Sequence, residues 1–134
     1  MKLDKPHLQR FDNLVAMFFE RARQGGADPL LWRKQDRVWS AQSWDEVALQ
    51  VAALSYKLRH LGLRKGDRVV LISENRPEWC IADLAIMAAG CITVPTYTTN
   101  TERDHQHILD NSGARAVVVS TAKLARVLMP AVTR

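Results

Sequence analysis

Cysteine is scarce in this sequence: Cys80 and Cys91 are the only two among 134 residues. Each sits inside a short apolar run, 79–81 and 90–92, so a disulfide framework is excluded and two core thiols in a reducing compartment are expected. Long apolar segments are missing as well. The longest weakly polar run, 80–94, is broken by Asp83 and falls short of the roughly 20 residues that span a bilayer. The opening Met1-Lys2-Leu3-Asp4-Lys5-Pro6 lacks the apolar centre of a secretory signal, and the run 14–19 stops at Glu20-Arg21. Neither export nor a transmembrane segment is expected, which leaves a cytoplasmic protein, peripheral to a membrane only by way of what it binds.

Glycine-rich phosphate loops are absent too. Neither G-x-x-x-x-G-K-[ST] nor G-x-G-x-x-G occurs, and residues 97–101, Tyr-Thr-Thr-Asn-Thr, offer hydroxyls without glycine or lysine, which reads as a surface loop and helix cap. No G-x-S-x-G elbow presents a nucleophile. Net charge is +5, from 19 Lys and Arg against 14 Asp and Glu. The cations are scattered as on a solvated surface, with no basic stripe and no helix-turn-helix, zinc or stacking-aromatic pattern, so nucleic acid is excluded as a partner. Weak attraction to polyphosphate ligands is compatible with that charge. His105 and His107 form an H-x-H pair, yet two residues apart on a helix they face different ways, unlike i, i+4 metal ligands. With His7 and His60 they read as non-ligands. These absences leave no catalytic residue and no metal site to name.

What is present is the composition of one soluble globular domain, 47% hydrophobic and 25% charged. Residues 12–24 place Leu14, Val15, Phe18, Phe19 and Ala22 on one side of a helix, and Gly25-Gly26 ends it. Residues 29–33 and 37–40 read as two short strands about the polar turn Lys34-Gln35-Asp36. Ser43-Trp44-Asp45-Glu46 is a capping box, in which hydroxyl and carboxylate each satisfy an orphan amide. The helix behind it keeps Val47, Val51, Leu54, Leu58 and Leu61 on one face, carries Lys57, Arg59 and His60 at the negative end of its dipole, and stops at Gly62.

From Arg68 a pattern of strand, helix and glycine recurs: strand 68–72, helix 77–89, Gly90; strand 91–94, helix 102–111, Gly113; strand 116–120, then a helix from Ala122 that meets Pro130. Continuous apolar strands such as Val69-Val70-Leu71-Ile72 and Val117-Val118-Val119 between helices are the signature of a parallel sheet covered on both faces. Asn75 is expected to cap the helix that begins near Pro77, Thr101 to form a second box with Asp104, and Ser120-Thr121 to supply another cap. Pro95, lacking an amide, is expected to end its strand. The expected fold class is α/β: a partial doubly wound parallel sheet with flanking helices, preceded by a helix and a short β-hairpin. Ligands of such sheets bind at the edge where strands end and helices begin. Three strands would leave an edge to be covered, so a sheet stopping at Arg134 reads as interrupted.

Four stretches carry a resemblance: Gly62-Leu63-Arg64-Lys65-Gly66-Asp67-Arg68-Val69, Asn75-Arg76-Pro77-Glu78-Trp79, Ala88-Ala89-Gly90-Cys91-Ile92-Thr93-Val94-Pro95 and His107-Ile108-Leu109-Asp110-Asn111-Ser112-Gly113-Ala114. In order and spacing they resemble the N-terminal region of adenylate-forming enzymes, specifically bacterial long-chain acyl-CoA synthetases. With Ser43-Trp44 and its helix the likeness covers residues 11 to 128. The resemblance implies an acid-thiol ligase, in which a fatty acid carboxylate attacks the α-phosphate of Mg²⁺-ATP to give acyl-adenylate and pyrophosphate, and the CoA thiol then displaces AMP. It also implies that residues 1–134 are the N-terminal part of the large adenylating domain. The Thr-, Ser- and Gly-rich phosphate loop, the ribose-binding acid, the adenine contacts and the lid lysine would follow Arg134. This segment alone is expected to be inactive and to bind none of ATP, Mg²⁺ or CoA by itself.

Some CoA-forming relatives hold the 3′-phosphate of CoA with basic groups just past the strand matching 116–120. Lys123 and Arg126 occupy that neighbourhood and are the candidate CoA-phosphate residues, against the plainer reading as solvated helix cations. Arg76, a further cation, reads as support for a helix start. A luciferase-like enzyme, a peptide-synthetase adenylation domain and a free-standing non-catalytic α/β binding module are the alternatives. Residues 77–89 carry Trp79, Ile81, Leu84, Ala85, Ile86 and Ala88 on nearly all sides, so an exposed apolar face and self-association are expected of the isolated chain.

Overall fold

The computed structural model describes residues 11–133; the opening Met1 to Pro6 and His7 lie outside the described residues. Helix α1 (Leu14–Gly25) begins where the Asn13 side-chain oxygen accepts the Ala16 amide at 2.8 Å, satisfying a donor that has no partner inside the helix. It ends where Gly26 takes φ 49°, and the ring of Trp44 lies against the Gly25 backbone, where a Cβ would sit 2.3 Å from Cδ1 of the indole. Strands β1 (Pro29–Gln35) and β2 (Val38–Ser43) pair antiparallel. They run longer than the expected 29–33 and 37–40 because the turn is only two residues, Asp36 and Arg37, at φ 49° and 65°. Positive φ at both positions suits the twist of a tight hairpin.

Helix α2 (Trp44–His60) opens on the expected capping box, with the Ser43 amide donating to Glu46 Oε2 at 2.7 Å and the Glu46 amide to Ser43 Oγ at 3.2 Å. Val47, Val51 and Leu58 are buried on its inner face. Leu61 is not on that face. It is the residue after the last helical turn and is 81% exposed, since the chain turns away through Gly62 at φ 94°.

Three βα units follow: β3 (Arg68–Ile72), α3 (Pro77–Ala88), β4 (Ile92–Thr96), α4 (Glu102–Ser112), β5 (Ala116–Val119) and α5 (Ala122–Val132). All three strands are parallel, in the order β4-β3-β5. Alternation along the central strand divides the core. Val69 and Leu71 face Phe18 of α1, Val47, Val51 and Leu58 of α2, and Ile81, Ala85 and Ile86 of α3. Val70 and Ile72 face the other way, against Leu124 and Leu128 of α5 and Ile108 and Leu109 of α4. The result is the expected α/β fold, a partial doubly wound parallel sheet between two helical layers.

Arg68 fastens the lower end of that sheet. Its Nε donates to the Ser112 carbonyl at 2.7 Å and its Nη2 to the Gly113 carbonyl at 3.0 Å. Cationic groups are favoured at a helix C-terminus, where the last carbonyls lack intrahelical partners.

Local details differ from the sequence reading. Pro95 lies within β4, opposite Leu71, and does not end it; β4 is an edge strand, where a missing amide is tolerated. Pro130 lies within the last turn of α5, which continues to Val132. Asn75 does not cap α3. Arg76 holds that position without a side-chain cap, and Pro77 follows as the first helical residue, where no amide is needed. The apolar circumference of α3 finds cover inside the chain, from the sheet on one side and from α1 and α2 on the other, leaving Trp79, Leu84 and Ala88 half-buried.

Candidate functional site

Parallel strands deliver their C-terminal ends to one edge. From β3 the chain moves to one side to form β4, then crosses back over the opposite face to form β5 on the other side of β3. The reversal makes a topological switch point between β3 and β5, the place where open α/β sheets form a crevice. Two loops meet there, residues 73–76 after β3 and Ser120-Thr121 after β5.

The loops are bonded to each other. The Ser120 amide donates to the Ile72 carbonyl at 3.0 Å, and Ser120 Oγ donates to Glu74 Oε2 at 2.6 Å. The hydroxyl is the largest influence holding the Glu74 carboxyl below the usual carboxylate range; its own backbone amide and then the charges of Arg76 and Lys123 act in the same direction. Glu74 is therefore an exposed carboxylate, kept ionised at the mouth of the switch point.

Three clefts open from the 73–76 loop. The largest, about 1010 Å³, lies between the hairpin and the start of α3, with Trp32, Trp39, Glu74, Arg76, Trp79 and Cys80 among its walls. A second, about 630 Å³, has Ser73, Glu74, Asn75 and Trp79 on one side and residues 95–98 on the other. The third, about 540 Å³, runs between α2 and β5 over Leu54, Lys57, Ser73, Val118 and Ser120. Glu74, Asn75 and Trp79 are shared by the first two clefts, Arg76 by the first and third. Glu78 accepts from Arg33 of β1 and from Arg76 Nε, the latter at 2.8 Å, so an ionic bracket fixes the hairpin against α3 and shapes the large cleft. Arg76 thus works through its side chain as well as at the helix start.

The candidate CoA-phosphate residues line none of the three clefts. Lys123 and Arg126 are exposed on α5, and of the two only Lys123 contributes to the field at Glu74. An anion held by Lys123 would also meet the ionised Glu74. The hydroxyl loop after β4 is engaged internally: Asn100 Nδ2 donates to Thr96 Oγ1, and Thr101 and Asp104 close the second capping box. The Thr101 backbone amide, followed by its hydroxyl, holds the Asp104 carboxyl below its ordinary value. His105 is 1% exposed whereas His107 faces solvent, so the H-x-H pair does divide between two faces. Cys91 is buried and Cys80 half-buried; burial, and next the nearby carboxylates Asp67 and Asp83 respectively, push both thiols up. Among the described residues no three of His, Cys, Asp and Glu gather as metal ligands, and no helix is long and apolar enough to cross a membrane.

Sequence reasoning named neither Glu74 nor Ser120 as site residues. Both stand directly after strand ends, but which strand ends are neighbours depends on the order β4-β3-β5, and residue patterns do not encode it.

Comparison with known proteins extends this picture. A family model described as AMP-binding enzyme matches residues 18–133. The long-chain-fatty-acid–CoA ligase FadD15 of Mycobacterium tuberculosis is 39% identical over 110 residues, which are 82% of this chain and 18% of that protein. The long-chain-fatty-acid–CoA ligase of Salmonella typhimurium is 34% identical over 110 residues, 82% of this chain and 19% of that one. The chain thus spans less than a fifth of the length of these relatives. Among solved structures, the Klebsiella oxytoca NpsA N-terminal subdomain in complex with 3-hydroxybenzoyl-AMSN superposes with a TM-score of 0.71 at 29% identity, covering 81% of this chain and 27% of that one. A benzoate CoA ligase from Burkholderia xenovorans LB400 shares the fold with a TM-score of 0.80 at 22% identity, covering 92% of this chain and 24% of that one.

Proposed function

The chain belongs to the AMP-binding enzyme family, and from that membership we propose that it is the N-terminal scaffold, part of the large adenylating domain, of an ATP-dependent long-chain fatty acid–CoA ligase. The observation that carries the proposal is the 39% identity over 110 residues to a long-chain-fatty-acid–CoA ligase. The long-chain ligases, at 39% and 34% identity, stand above the NRPS adenylation protein NpsA at 29%, which is what supports the peptide-synthetase alternative.

Within that reading the segment builds one wall of a site and supplies no reacting group. The switch-point loop, with Glu74 bonded to Ser120, is a fixed rim on which a nucleotide- or thioester-handling domain closes. Lys123 and Arg126 would meet the 3′-phosphate of CoA from α5, with Glu74 keeping the anion away from the sheet edge. Among the described residues no three of His, Cys, Asp and Glu converge, and a Mg²⁺ carried on ATP phosphates calls for only one or two carboxylates. In the loop after β4 the Thr101 hydroxyl and the Asn100 amide are already used internally. In this reading ATP, Mg²⁺ and CoA are bound by the whole ligase, and the isolated segment is expected to turn over no substrate.

The test compares the complete gene product with the 134-residue chain in the presence of palmitate, ATP, Mg²⁺ and CoA. The complete protein is expected to release pyrophosphate and form palmitoyl-CoA; the short chain is expected to release no pyrophosphate above a catalytically dead control. Preference for benzoate or acetate over palmitate would overturn the long-chain assignment. Adenylate formation by the short chain would overturn the scaffold role.

A further inference from the structure

The hairpin of β1 and β2 has two unlike faces. Its register pairs Trp32 with Ala41 and Lys34 with Trp39, so these four share one face, while Leu31, Arg33, Ser40 and Gln42 share the other. The second face is the anchored one: Leu31 packs against the core shared by α1, α2 and α3, and Arg33 bonds to Glu78 of α3. The first face has no such cover. Trp32 is 55% exposed and Trp39 59%, whereas the other two tryptophans, Trp44 and Trp79, are half-buried. Lys34 stands between the exposed pair, two residues along the strand from Trp32 and directly opposite Trp39, with Nζ 5.6 Å from the Trp39 ring centroid. The turn adds exposed Arg37, and then Val38 at 67% exposure. Residues 29–43 hold Arg33, Lys34 and Arg37 against Asp36 alone. Among the described residues neither Lys34 nor Arg37 has an ion pair.

The lysine decides which partner fits. Protein interfaces are depleted of Lys at their cores, where an ammonium loses its water and needs a carboxylate in exchange. A bilayer surface accepts the same arrangement: indoles settle at headgroup level, and the stem of a Lys or Arg lies along apolar surface with its charge among the phosphates. Anionic headgroups add an attraction for each cation. We propose that the outer face of the hairpin, Trp32, Lys34 and Trp39 with Arg37 and Val38 at its tip, docks the protein on membranes that carry anionic lipid. Single-stranded nucleic acid also stacks on aromatic rings, but it calls for a basic groove that tracks several phosphates, and this patch offers two unpaired cations. The patch borders the ligand edge of the sheet, since Trp32, Lys34 and Trp39 line the largest cleft together with Glu74, Arg76 and Trp79. Docking therefore brings that edge to the bilayer. The inference deepens the ligase reading and rests on it for one point, that a fatty acid substrate is collected from a membrane.

Vesicle flotation with the complete gene product tests it, with no ATP, CoA or fatty acid present. Vesicles of phosphatidylcholine containing one-quarter phosphatidylglycerol are expected to bind the protein roughly tenfold or more tightly than phosphatidylcholine alone. Trp32→Ser with Trp39→Ser is expected to lose that binding, and so is Lys34→Glu with Arg37→Glu, each with an unchanged far-ultraviolet circular dichroism spectrum as the control for folding. Brominated phosphatidylcholine in the vesicles is expected to quench the fluorescence of the unsubstituted protein and to leave that of the tryptophan variant unquenched. Absence of vesicle binding overturns the proposal, as does binding that either variant retains. It is also overturned if iodide, without vesicles, quenches the unsubstituted protein no more than the tryptophan variant, because the rest of the chain or a second copy then covers both indoles. Tighter binding to polyuridylate than to the anionic vesicles overturns it in favour of nucleic acid. The ligase assay separates the two readings: palmitoyl-CoA formation without vesicle binding removes only the docking face, and vesicle binding lost in both variants, without palmitoyl-CoA formation, removes only the enzymatic assignment.

Discussion

Ser120 Oγ donates to Glu74 Oε2 at 2.6 Å, joining the loop that leaves β5 to the loop that leaves β3. The bond bridges 46 positions of sequence and closes the switch point across its mouth. Because Ser120 is the largest influence on the Glu74 carboxyl, Ser120→Ala is expected to move the Glu74 titration midpoint upward, towards the ordinary value of 4.5. Carboxyl carbon shifts followed by NMR from pH 2 to 7 would show it. An unmoved midpoint would mean that the Glu74 backbone amide and the charges of Arg76 and Lys123, not the hydroxyl, hold the carboxyl down.

His105 is 1% exposed, and among the described residues its Nδ1 has no hydrogen-bond partner. Burial pulls its pKa below 6.5, with the Asp104 carboxylate acting weakly in the opposite direction. The unfolded chain therefore binds this proton more readily than the folded one. Full stability holds above the unfolded value of 6.5 and is lost as pH falls through the lower folded value. Urea denaturation at pH 7.5, 6.5 and 5.5 is expected to show this decline, and His105→Leu is expected to flatten it. An identical decline in the variant would assign it to other groups.

Gly25 ends α1 with the Trp44 indole on its backbone. By helix propensity Gly25→Ala would stabilise the chain by up to about 1 kcal/mol. The contact reverses the sign: overpacking against a ring typically destabilises by about 1–3 kcal/mol. Thermal denaturation is expected to show a net loss for Gly25→Ala, largely recovered when Trp44→Leu is added. A stabilised single variant would show that the ring moves aside freely.

The 134-residue chain alone is expected to self-associate. The cause is not α3, whose apolar surface is covered by α1, α2 and the sheet. It is the open flank of β5, together with Trp32 and Trp39, which are 55% and 59% exposed on the hairpin. Sedimentation at several concentrations beside binding of an apolar dye checks this. A monodisperse monomer that binds no dye would mark the chain as a finished module.

Most of the fold was legible because its signals are local. The Ser43 and Thr101 capping boxes, the continuous valines of β3 and β5, and the glycines after α2 and α4 each act within a few residues of themselves. Pro95 misled because the penalty for a missing amide depends on whether its neighbour in space needs that amide, and the open side of an edge strand does not; at Pro130 the helix continues to Val132 although the Arg126 carbonyl loses its i+4 donor. The site was least legible. Glu74 and Ser120 matter through a strand order, and Trp79 through the packing of a hairpin brought close by Arg33 and Glu78. Lys123 and Arg126 could be named in advance only through likeness to a family.

The central position of β3 bears on how the molecule is made. A ribosome releases the chain from its N-terminus, and β3 emerges before either strand that will flank it. Helix α1, the hairpin and α2 can assemble from neighbours already outside the tunnel, and they offer β3 one apolar face to rest on. Its two ladders must wait, the first for residues up to Thr96 and the second for residues up to Val119. During that interval the most apolar strand of the protein has bare edges on both sides. The early helices therefore act as an internal chaperone, shielding Val69 and Leu71 while synthesis catches up.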